Sequence, residues 1–376
     1  MAEVYGQLFD DWLINSYNRY HKLQMFSLDK PVISMESSDN YSVCLACKKP
    51  EQDKYEVLNF EIPNKLFQLA NEYDSINTRR DLKIKCGTLT NEPLIDMKPL
   101  YGMSKVILSE KGVGKISIYK MDFHQSDQMI PLRSIESKID SGRLAVDITT
   151  STIIIWGKEN VYPIGDVYDI ENNKRILAFE NESNNPMCSY VPYFMSNNEL
   201  VVLNSENGSF DLYDLTSGEH LDKINLPVTD NNAKWFSNTM YSSYKETSTF
   251  NLTLIANSGT LLNYDLRNCK IPTIHQKDCF TRCNNDININ FDSCSVQTIA
   301  VNGFDGNVYI IEEKEIKGNK IIVRKFKHEG HLFNEEDDLG RSKIRTSSTL
   351  WLPKCGSNTL LSAADDGSVQ GWQFLT

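Results

Sequence analysis

Cys44-Leu45-Ala46-Cys47 sets two thiols three residues apart, the spacing of a redox dithiol or of half a metal site. The residues around it read as a strand, and on a strand positions three apart face opposite ways. The pair therefore reads as core or edge cysteine. His275, Cys279, Cys283 and Cys294 offer four nitrogen or sulfur ligands, but their spacing is not that of a zinc knuckle. Gly112-Val113-Gly114-Lys115 lacks the full Gly-x4-Gly-Lys-Ser/Thr pattern of a phosphate loop and reads as a hairpin turn. Neither a Gly-x-Ser-x-Gly elbow nor a His-Glu-x-x-His helix occurs, and no dyad or triad can be given a geometric reason. No catalytic residue, cofactor or metal is expected.

One set of residues does form a chemical unit. His331 follows a Gly, Ser362 lies on a strand, Asp366 is in a turn and Trp372 is on the next strand. The set resembles the buried hydrogen-bond tetrad of a WD repeat, and that resemblance implies a structural role in which the imidazole bridges the turn acid and the strand hydroxyl and the indole N–H ends the chain of bonds.

The elements that position this set are short β-rich runs, such as Thr152–Trp156 and Glu199–Leu203, separated by Gly, Asn, Asp and Ser clusters. A pattern recurs among them. A strand runs into a turn ending in Gly, and five residues later stands an aromatic or large apolar residue, often followed by an acid. Gly208 leads to Tyr213, Gly259 to Tyr264, Gly306 to Ile311, Gly367 to Trp372 and Gly114 to Tyr119. Tyr168-Asp169 fits too, with Pro163 where the Gly should be. Successive turns lie 45 to 51 residues apart, and the last step is 61. That is the repeat of a WD-type blade of four strands, and Asn-Gly or Asp-Gly supplies the positive φ of a two-residue hairpin turn.

A further blade is expected earlier, from runs at Tyr41–Ala46 and Tyr55–Ile62 and a fourth strand at Asp81–Cys86. The expected fold is all-β, a seven-bladed β-propeller over residues 23–376 preceded by a helical segment, residues 1–22. Only four residues follow Trp372, too few for a fourth strand. The run Leu23–Leu28 is expected to supply it and so close the ring. Lys317, Lys320, Arg324, Lys325 and Lys327 admit two readings, an anion or nucleic-acid patch, or an outer edge strand where Lys discourages aggregation. Nearby acids favour the second.

The N-terminal segment differs from the rest. Val4, Leu8 and Trp12 fall on one helical face, with Asp10, Asp11 and Leu13 beside them. This is either a helix covering the propeller rim or a partner contact with Trp12 as anchor. A second candidate contact is the long loop before the last blade, where Leu332 and Phe333 precede Glu335, Glu336, Asp337 and Asp338. A bare acidic run is otherwise a solvated loop.

The chain of 376 residues has a net charge of −11, which disfavours broad duplex binding, so no direct nucleic-acid contact is expected. No apolar run is long enough to span a membrane. Nine dispersed cysteines suggest a reducing compartment rather than a disulfide framework. The N-terminus lacks the features of a secretory signal.

Several motifs carry a resemblance. They are Asp10-Asp11-Trp12-Leu13, Phe26-Ser27-Leu28, Arg80–Ile84, Ile95–Lys98, Gly303–Gly306, His328–His331 and Thr359–Ala363. In these the chain resembles the WD repeat-containing protein 73 family of WD40-repeat propellers, along its whole length but weakly over residues 120–270. The resemblance implies a non-catalytic, cytoplasmic scaffold, found also at spindle poles and in the nucleus. It implies assistance to assembly of the Integrator complex, through its endonuclease subunits 9 and 11 and an associated assembly factor. The alternative it implies is a spindle-pole or microtubule scaffold. A propeller with a metal or enzyme site in its channel is a third reading, and it would need convergent His or carboxylate groups at the channel mouth.

Overall fold

The computed structural model describes residues 12, 14–49, 54–63, 66, 81–112, 114–121, 127–147, 149–159, 162–180, 189–196, 198–227, 233–242, 249–292, 295–331 and 344–375. They form seven four-stranded antiparallel sheets. Blades one to six span residues 32–90, 94–136, 143–180, 190–224, 235–276 and 288–328, each in simple strand order from the inside outward. Blade seven takes three strands from residues 346–374 and its outermost strand, β1 (Tyr20–Ser27), from the N-terminal region. The innermost strands touch in order round the ring, and that of blade seven, Thr346–Trp351, meets that of blade one, Val32–Ser37.

Each blade is sandwiched between two neighbours, so both faces of its second strand must be apolar. In Thr152–Glu159, Ile153 and Ile155 pack with blade two while Ile154 and Trp156 pack with blade four. The period of two distributes one run between two cores. The described apolar residues accordingly fall into seven clusters, one at every seam. Cys44 and Cys47 obey the same alternation. Cys44 faces Met97 and Val106 of blade two, and Cys47 faces the Leu361 and Val369 side of blade seven. The two thiols point apart.

The ring closes by pairing β1 with the third strand of blade seven, Ser368–Phe374. Leu23 lies opposite Trp372, Phe26 opposite Val369 and Ser27 opposite Ser368. Leu28 adds a backbone N–H to the Gly367 carbonyl at 2.8 Å. The strand starts at Tyr20 rather than Leu23, so the helical segment is shorter than the expected residues 1–22. Tyr20 pairs with Phe374 and buries its ring, which extends the strand. Gly367 sits at φ 86°, and a Cβ there would meet the Leu28 carbonyl oxygen at 2.3 Å. Close approach of the closing strand, as well as positive φ, demands this glycine.

Three local expectations are corrected. The turns between second and third strands with Gly114, Gly208, Gly259, Gly306 and Gly367 have three to five residues, not two. In blade six the left-handed residue is Gly303, at φ 106°, not Gly306. A longer turn has more than one place where positive φ can fall. The fourth strand of blade one is Lys83–Thr90, further along than Asp81–Cys86, because it pairs with Lys54–Glu61 up to Tyr55 opposite Thr90. The basic residues Lys320, Arg324, Lys325 and Lys327 lie on Asn319–His328, the outermost strand of blade six.

Candidate functional site

The His331, Ser362, Asp366 and Trp372 set converges in blade seven with one more member. Trp372 Nε1–H donates to Ser362 Oγ at 3.0 Å, and Ser362 Oγ lies 2.8 Å from His331 Nε2. The other ring nitrogen, Nδ1, is 2.7 Å from Ser368 Oγ, and Ser368 donates its hydroxyl proton to Asp366 at 2.6 Å. The link from imidazole to acid therefore runs through Ser368. Proton counting sets the direction of the chain. Ser368 has spent its one proton, so His331 Nδ1 must donate to it, and Nε2 accepts from Ser362. The network needs a neutral imidazole, and burial lowers the His331 pKa to about 4.

A second buried histidine extends this network to the N-terminal strand. His328 Nδ1 is 2.8 Å from the Tyr20 hydroxyl, and its ring stacks on Trp372 with centroids 4.4 Å apart. Burial, with His331 beside it, pushes the His328 pKa well below its ordinary value, and burial raises that of the Tyr20 phenol. Gln370 Nε2 donates to the Gly330 carbonyl at 2.6 Å. A Cβ on Gly330 would lie 2.0 Å from Gln370 Oε1, which explains the glycine in His328-Glu329-Gly330-His331. Arg19 completes the latch, with an ion pair to Glu329 at 3.1 Å, a hydrogen bond to the Lys327 carbonyl and stacking over Phe326. Sequence reasoning missed Arg19, Tyr20, His328, Ser368 and Gln370. The Gly-His signature flanking His331 was visible, but nothing local ties it to residue 20.

Of the two readings of the N-terminal segment, the structure places Trp12 in the covering one. Trp12 is 8% exposed and packs with Tyr20, Trp351 and Trp372 at the seam of blades six and seven. Its helical neighbours face outward instead, Ile14 at 64% and Tyr17 at 80% exposure. The indole is thus the inner anchor of this segment. Asp10, Asp11 and Leu13 lie outside the described residues, as do Leu332, Phe333, Glu335, Glu336, Asp337 and Asp338.

The basic edge of blade six is matched by its own acids. Lys325 pairs with Glu312 at 3.2 Å, Lys320 with Glu313 at 2.7 Å and Lys327 with Glu329 at 2.6 Å, while Arg324 covers the Tyr309 ring. Little net charge is left there for phosphates.

The central channel has a volume of about 690 Å³ and a polar lining. Its groups mainly tie blade to blade. Lys98 meets Glu36 at 2.5 Å, Lys234 meets Asp286 at 2.7 Å, and Asp96 accepts the Leu144 N–H at 2.9 Å. Asn238 and Asn290 each donate to a backbone carbonyl of the next blade. No histidine lines it among the described residues. Cys279 and Cys283 pack against the core between blades five and six, and Cys294 lies outside the described residues. Among the described residues no group of three or more His, Cys, Asp or Glu is arranged to hold a metal ion, and no helix is long and apolar enough to cross a membrane.

No family model matches the chain. Its likeness to curated proteins nevertheless runs end to end. It is 25% identical over 377 residues to Integrator complex assembly factor WDR73 of Danio rerio, covering 97% of this chain and 96% of that protein. The protein of the same name from Xenopus laevis is 23% identical over 375 residues, covering 96% and 97%. That from Homo sapiens is 21% identical over 395 residues, covering 97% of each.

Proposed function

We propose that this chain is a non-catalytic scaffold that assists assembly of the Integrator complex. Within that complex it acts on the endonuclease module, subunits 9 and 11, together with an associated assembly factor, and it does so in the cytoplasm. The observation that carries the reading is the end-to-end likeness to proteins named as Integrator assembly factors. The geometry is consistent with it. A rigid ring whose channel groups bind one another offers surfaces and loops rather than a reaction centre. No observation on this chain favours the spindle-pole alternative.

Affinity purification of the tagged chain from cytoplasmic extract, followed by mass spectrometry, tests the reading. Integrator endonuclease subunits should be the main partners. Recovery of tubulin and centrosomal proteins in their place would overturn it.

A further inference from the structure

We propose that a groove on one face of the ring receives an acidic segment of a partner protein, anchored by a large apolar side chain. The proposal rests on the scaffold reading only in taking the occupant to be a protein.

Topology defines the face. In every antiparallel blade the first-to-second and third-to-fourth strand connections emerge together, and the residues before β1 and after Phe374 lie on that side too. An arc over blades seven, one and two exposes Ile14, Tyr17, Leu375, Tyr41, Tyr101 and Met103. Among the described residues, the opposite face contributes Tyr162 and, at the channel mouth, Ile33. Scattered apolar residues need no explanation, but a one-sided arc does.

Within the arc lies a groove of about 300 Å³, floored by Phe291, Leu350, Trp351 and Leu352. The Trp351 indole N–H is already satisfied by the Asn290 carbonyl at 3.0 Å, so its polar end makes no demand on an occupant. One lip carries Asn40, whose Oδ1 accepts the Tyr101 hydroxyl at 2.5 Å. That bond turns the amide so that its N–H groups remain for a peptide carbonyl.

The charges decide the chemistry of the occupant. The other lip carries Lys354, with no ionic partner among the described residues. Lys22, close to Cys355, also lacks one there, and its ammonium donates to the Leu66 carbonyl at 2.9 Å. The acid at the groove, Asp39, turns into its own loop, accepting from Tyr41 N at 2.6 Å and Ser42 Oγ at 3.0 Å. Lys85 donates to the same Ser42 hydroxyl at 2.9 Å. Within the groove's lining Lys354 is the cation, and Asp39, the acid, is committed to its own loop. An Asp or Glu beside the anchoring side chain matches Lys354.

A peptide phage library selected on the intact chain tests this. Lead peptides are then titrated by fluorescence polarisation against the wild type, Lys354→Glu, Tyr101→Ala and, on the opposite face, Lys111→Glu. Enriched sequences should place Asp or Glu within a few positions of Leu, Met, Phe or Trp. Lys354→Glu and Tyr101→Ala should each weaken binding about tenfold, while Lys111→Glu leaves it unchanged. No enrichment, basic leads, or leads that bind all variants alike would overturn the groove. Purified Integrator endonuclease subunits provide the second arm. Subunits that bind wild type and Lys354→Glu equally overturn the groove and leave the assembly reading intact. Peptides behaving as expected while no subunit binds the wild type overturn the assembly reading and leave the groove.

Discussion

Blade seven and blades three and four fasten their third strands by different chemistry. In blades three and four a buried carboxylate, two residues before the blade's Tyr, reaches a basic residue nine positions on in the outer strand. Asp166 pairs with Arg175, and Asp211 lies 3.0 Å from His220. Both links are local, made within one hairpin. At the same position blade seven has Gln370, and its strand is held by the neutral relay through Trp372, Ser362, His331 and Ser368. The relay and its extension through His328 join β1, the end of blade six, the connection at 330–331 and the strands of blade seven. A blade continuous in sequence can rely on a hairpin contact. A blade assembled from distant pieces needs buried bonds that cross between them, and in the relay from Trp372 to Asp366 each donor meets an acceptor.

The largest expected effect tests the discontinuity itself. Deleting residues 1–28 removes β1 and leaves Trp372 and Phe374 without their cover. The truncated chain should aggregate or lose cooperative unfolding, read by size-exclusion chromatography and thermal melting. A monomer with an unchanged Tm would show that closure does not hold the ring. Next comes the relay. Ser362→Ala strands the indole N–H and the His331 Nε2 in a buried site, at a cost of about 2–3 kcal/mol in urea unfolding. A loss below about 0.5 kcal/mol, within the range of surface substitutions, would remove the relay from the account.

The pH dependence is smaller near neutrality and has a definite sign. His328 and His331 are held neutral, so the unfolded chain takes up protons on them that the folded chain refuses. Their contribution is whole above about pH 6.5, the ordinary histidine value, and falls as the pH drops toward the lowered folded values. The slope should approach ~1.4 kcal/mol per pH unit for each histidine, and His331→Gln should remove about half of it. Stability that is flat between pH 6.5 and 5 would contradict the buried neutral pair. The smallest effect belongs to the hairpin pairs. Arg175 is half exposed, so Arg175→Ala should cost only about 1–2 kcal/mol even though it leaves Asp166 buried. A loss as large as that of Ser362→Ala would erase the contrast between the two kinds of blade.

The architecture was legible because its signals are local. The recurring turn and aromatic residue, and the shortage of chain after Trp372, required only spacing and strand length. The opposition of Cys44 and Cys47 followed from the two-residue period alone. Local signals failed where several backbone solutions fit one turn, as with Gly303 and Gly306. For Trp12 the stripe allowed the covering reading, while the particular seam it covers came only from the fold.

Chain order alone thus determined the all-β character, the blade repeat and the need for an N-terminal strand in the last blade. Short-range periodicity and chain length carry that information. Tertiary structure decided that Ser368 stands between His331 and Asp366, that Tyr20 meets His328 across 308 residues, and that Lys354 and Tyr101 share a groove. Each of these contacts joins separate blades or distant parts of the chain, and its geometry exists only once the ring is closed.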